Sequence, residues 1–69
     1  MAYLVREVGT GYSAPGIPAW RCYVSLEKAK RAAERAAKTH GRAFAYGWAS
    51  LGSNTIDVQY GEAQPRHNG

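Results

Sequence analysis

The chain holds a single cysteine, Cys22, in 69 residues. That excludes an intramolecular disulfide and a thiolate-rich zinc site. Secreted domains of this size usually carry disulfides, so their lack points to a reducing cytoplasm. No apolar run approaches the roughly 18 residues a membrane span requires. The opening MAYLVRE also lacks the basic-then-apolar order of a signal peptide. Carboxylates are scarce: five Asp and Glu stand against nine Lys and Arg, a formal charge of +4. The two histidines, His40 and His67, show no His-x-x-x-His or Glu-x-x-His spacing, so neither a metal nor any other cofactor is expected.

What the chain does have is aromatic side chains and one alanine-rich basic segment. A domain this short buries only about 60% of its unfolded surface. Its eight aromatics, each burying much area at low conformational cost, are therefore expected to supply several core positions. Ala2 to Val8 has strand composition. Gly9 to Ala19 holds three Gly and two Pro in eleven residues and reads as a surface loop. Trp20 to Val24 reads as a second short strand with Cys22 facing the core.

Ser25 is the expected N-cap of a helix and Gly41 its stop, with Glu27 in the first turn favouring the positive end of the dipole. At about 100° per residue, Leu26, Ala29, Ala33, Ala36, Ala37 and His40 share one face. The opposite face carries Glu27, Lys28, Lys30, Arg31, Glu34, Arg35 and Lys38, with Glu27–Arg31 and Glu34–Lys38 in favourable i,i+4 spacing.

Arg42 to Ser50 alternates strictly, with Phe44, Tyr46 and Trp48 on one side and small residues on the other. Thr55 to Tyr60 follows a turn at Leu51–Asn54 and completes a hairpin, with Ile56, Val58 and Tyr60 on one face. The expected fold is α+β in two layers: a short antiparallel sheet in the order β-β-α-β-β, with the alanine-rich helix across one face. Residues 1–61 form the single domain and residues 62–69 a polar tail containing a solvated His67.

Catalysis needs a nucleophile, a base and something to orient them, and no such set is present. Cys22 reads as a small core thiol and His40 as a packed or carbonyl-capping imidazole. Gly9-x-Gly11 lacks the third glycine and following helix of a dinucleotide fingerprint. A non-enzymatic protein is expected. Lys28, Arg31, Arg35 and Lys38, continued by Arg42, make a basic ridge that suits an acidic protein surface or a phosphate backbone. Tyr12, in the Gly/Pro loop, is a secondary contact candidate. Phe44, Tyr46 and Trp48 would form a base-stacking platform only if they face solvent, and a single core face favours placing them beneath the helix.

In overall build, with SLEKAKRAAERAAKTHG between strand-like stretches and no catalytic set, the chain resembles the small phage-borne inhibitors of bacterial defence, the anti-CRISPR class. The resemblance implies a monomeric inhibitor that occludes a surface on a host surveillance complex, docking on a Cas subunit. DNA-mimicking members of that class are acidic and this chain is basic, so duplex mimicry is not implied. The alternatives are a small nucleic-acid-binding regulator using the same cations, and a structural subunit whose thin core a partner completes.

Overall fold

The computed structural model describes residues 2–65. Its elements run β1 (Ala2–Glu7), α1 (Leu26–His40), β2 (Phe44–Ala49) and β3 (Val58–Ala63). The strands form one antiparallel sheet in the order β1-β2-β3. The architecture is α+β with a three-stranded sheet and one helix, in the order β-α-β-β.

The helix ends follow their chemistry. Ser25 has extended backbone and its side chain accepts from the Lys28 amide at 3.2 Å. Gly41 adopts φ 67°, in the left-handed region, and its amide donates to the Ala37 carbonyl. Ala29, Ala33 and Ala37 are fully buried in the stripe between. Leu26, placed by periodicity on the same face, is exposed at the first turn. Among the two spaced charge pairs, Glu27–Arg31 closes at 3.6 Å; Glu34–Lys38 is not within 4 Å.

The alanine stripe brings the helix down onto Phe44, among the described residues the one large side chain with no exposed surface. Val5, Ala14 and Ala63 complete that cluster, with Tyr3, Tyr23 and Tyr46 packed partly against it. Phe44 and Tyr46 thus pack toward the helix, while Trp48, half-buried, is not part of that cluster.

Three expectations are corrected. The second strand, Trp20–Val24, is absent: only Tyr23 pairs with the sheet, exchanging two backbone hydrogen bonds with Tyr3. A turn in which the Arg21 amide donates to the Pro18 carbonyl precedes it. That turn leaves Trp20 76% exposed and turns Cys22 outward rather than into the core. The last strand also lies three residues later than Thr55–Tyr60. A bulge between Tyr46 and Gly47 breaks the regular alternation of Val58 and Tyr60. Backbone groups along β2 need partners on both sides, and this draws Gly61, Glu62 and Ala63 into pairing with Tyr46, Ala45 and Phe44. The expected domain end at residue 61 therefore falls inside β3; residues 66–69, with His67, lie outside the described residues.

The small residues of β2 form a second packing surface. Ala45, Gly47 and Ala49 are buried on the face away from the helix, where Leu4 and Arg6 are buried too. Two loops cover this trough. A Cβ on Gly47 would lie 2.8 Å from the Gln59 Cα, 2.6 Å from an Ile56 methyl and closer still to the Val58 carbonyl oxygen. Two of those three obstacles involve backbone, so they cannot swing aside. Gly47→Ala is expected to cost about 1–3 kcal/mol by overpacking, read as a lowered midpoint in urea denaturation; an unchanged midpoint would show that β3 moves freely against β2. At the loop between these strands, the Ser50 backbone amide and hydroxyl both donate to one Asp57 carboxylate oxygen, at 2.7 and 2.9 Å. Those bonds, the backbone one first, hold the Asp57 pKa below its ordinary value.

Candidate functional site

The basic ridge is built by helical spacing. Lys28, Arg31, Arg35 and Lys38 recur every three or four residues on the side of α1 opposite Ala29, Ala33 and Ala37, and all four are exposed. At 1.5 Å per residue the row extends roughly 15 Å. Because the alanine stripe seats the helix closely on the sheet, the ridge stands as the crest of that face.

The cations differ in how free they are. Arg31 is paired with Glu27 and Arg42 with Glu7, whose carboxylate is 3.4 Å away. Among the described residues, Lys28, Arg35 and Lys38 have no carboxylate within 4 Å. Arg42 therefore extends the ridge in position more than in available charge, since it ties the start of β2 to the end of β1. Arg31, Arg35 and Lys38 further line one side of a broad groove whose other side is the end of β3, Glu62 to Pro65. Glu34 and Glu62 sit in the same groove and interrupt its positive charge.

Tyr12 is 70% exposed. Its carbonyl accepts from the Glu7 amide at 2.7 Å and its own amide donates to the Thr10 hydroxyl. Backbone bonds thus hold the segment while the ring projects. It belongs to the same end of β1 as the Glu7–Arg42 pair, so the six sequence-predicted residues fall into two groups: Lys28, Arg31, Arg35 and Lys38 along the helix, Arg42 and Tyr12 at its C-terminal end.

Two residues that spacing did not single out also matter. Arg21 holds its guanidinium 5.3 Å from the Tyr23 ring centroid and faces the same cleft as Arg35. Arg21 lies in the stretch expected as the second strand, and only the loop conformation turns it toward the helix. Arg6 is 7% exposed, and its guanidinium donates to the carbonyls of Val5, Ala19 and Asn54 at 2.8–3.3 Å. Burial lowers its pKa from the ordinary value.

No group of three or more His, Cys, Asp or Glu is placed to hold a metal ion among the described residues. No helix there is long and apolar enough to cross a membrane. No protein family, curated protein or solved structure matches the chain.

Proposed function

We propose that this protein is a non-enzymatic docking protein that presents the exposed basic face of α1 to an acidic surface on a larger assembly. The observation that carries the reading is the pairing of a fully alanine-lined buried stripe with an opposite crest on which Lys28, Arg35 and Lys38 have no carboxylate within 4 Å among the described residues. Electrostatic steering by such a crest raises association rate and selects complementary patches. Within this reading, the resemblance to anti-CRISPR proteins names the assembly: a CRISPR–Cas surveillance complex, inhibited by occlusion at one of its Cas subunits in the host cytoplasm, with the inhibitor acting as a monomer. The nucleic-acid regulator is the second reading, and the packing of Phe44 and Tyr46 toward the helix weakens it by taking two of the three aromatics out of a stacking platform.

The test is a charge reversal, Arg31→Glu with Arg35→Glu, measured against both kinds of partner. At exposed positions the double variant keeps its melting temperature. Docking predicts loss of binding to a purified surveillance complex by about a hundredfold or more. It also predicts no anisotropy change with labelled single- or double-stranded DNA and RNA at low or physiological salt. Submicromolar, salt-sensitive binding to free nucleic acid, lost in the double variant, would sink docking and install the regulator.

A further inference from the structure

Between α1, β1 and the loop of residues 14–23 lies a cleft of about 140 Å³, distinct from the groove beside β3. Its apolar lining includes Ala14, Ile17, Tyr23 and Ala36, and its charged lining is Arg21, Arg35 and Arg6, the last already donating to three backbone carbonyls. No Asp or Glu lines it, and neither Arg21 nor Arg35 has a carboxylate within 4 Å among the described residues. From these observations we infer that the cleft is a binding site for a small carboxylate whose apolar body is the size of one six-membered ring.

Size and charge each limit the ligand. An apolar cavity of ~150 Å³ accepts a benzene ring, so the space here has room for a single ring. Ala14 and Ala36 contribute no bulk, leaving room that a larger side chain would fill, while Tyr23 offers an aromatic wall. Guanidinium groups recognise carboxylates through paired, charge-assisted hydrogen bonds. Arg21, already lying over the Tyr23 ring, is restricted in direction. A neutral ligand would displace water from the two guanidinium groups without replacing its hydrogen bonds, and an inorganic anion would leave the apolar wall unused. Arg35 belongs both to this cleft and to the crest of α1, so a partner docked on the crest would compete with the ligand for that one guanidinium, while Arg21 belongs to the cleft and not to the crest.

The probe is benzoate, titrated into ¹⁵N-labelled protein, with benzyl alcohol and inorganic phosphate as controls for the two halves of the ligand. Benzoate is expected to shift the amides of Tyr23, Ala36 and their neighbours saturably, in the millimolar range or tighter. Benzyl alcohol and phosphate should each bind about tenfold more weakly or worse. Arg21→Gln and Arg35→Gln lie at exposed positions and are expected to keep the wild-type spectrum. Each should weaken benzoate by about three- to tenfold. The inference fails if no saturable shift occurs up to ~20 mM benzoate, if benzyl alcohol or phosphate binds as well, if the shifts map elsewhere, or if both Arg variants bind benzoate unchanged.

Discussion

Phe44→Ala is expected to abolish the cooperative unfolding transition at 25 °C. Among the described residues Phe44 is the only large side chain with no exposed surface, and its buried neighbours in the core are small: Ala14, Ala29, Ala33, Ala37 and Ala63, with Val5 beside them. Five alanines have no rotamers with which to fill a void, so the cavity persists. Truncating a buried Phe costs about 3–5 kcal/mol, and a domain below 70–80 residues rarely has more than about 3–5 kcal/mol from its core. The two figures cancel. Far-UV circular dichroism in a urea series tests this: the variant should lack a native baseline, whereas Phe44→Leu should keep one and lose only about 1–1.5 kcal/mol. A variant Phe44→Ala melting within a few degrees of the parent would show that the core lies elsewhere.

Arg6→Met is expected to destabilise the domain by about 2–4 kcal/mol. The thioether keeps most of the buried stem, so the loss isolates the guanidinium. That group donates to Ala19 in the first loop and Asn54 in the hairpin loop, and to Val5 in its own strand. It is the direct link between both loops and the sheet face they cover. Desolvation opposes a buried cation, which is why its pKa is lowered, but carbonyl acceptors from three segments compensate. Hydrogen exchange should quicken most in residues 14–20 and 50–57, ahead of α1. Arg6→Lys recovers less than half the loss, since one ammonium lacks the width of a guanidinium to reach both loops. Unchanged stability and exchange in Arg6→Met would mean the loops hold themselves.

Much of this frame is legible in local chemistry. The helix from Ser25 to Gly41 follows from a hydroxyl cap, a glycine stop and an alanine stripe, all of which act within a few residues. The alternation in β2 likewise fixes which side carries Phe44. The fate of the segment Trp20–Val24 is not local: Tyr23 finds a partner in Tyr3, while the Pro18–Arg21 turn holds Trp20 outward. The bulge at Tyr46/Gly47 is equally non-local, since it depends on how β3 aligns with a strand already pinned under the helix.

The sequence by itself determined the helix, its basic crest, the hairpin and the separation of large from small residues along β2, because capping, periodicity and turn chemistry are short-range. Only the tertiary structure decided that Ala45, Gly47 and Ala49 form a trough, that Arg6 ties two loops across it, and that Arg21 meets Arg35 at a cleft. Those outcomes depend on contacts between residues far apart in the chain. Neither composition nor spacing records which distant carbonyl a guanidinium will reach.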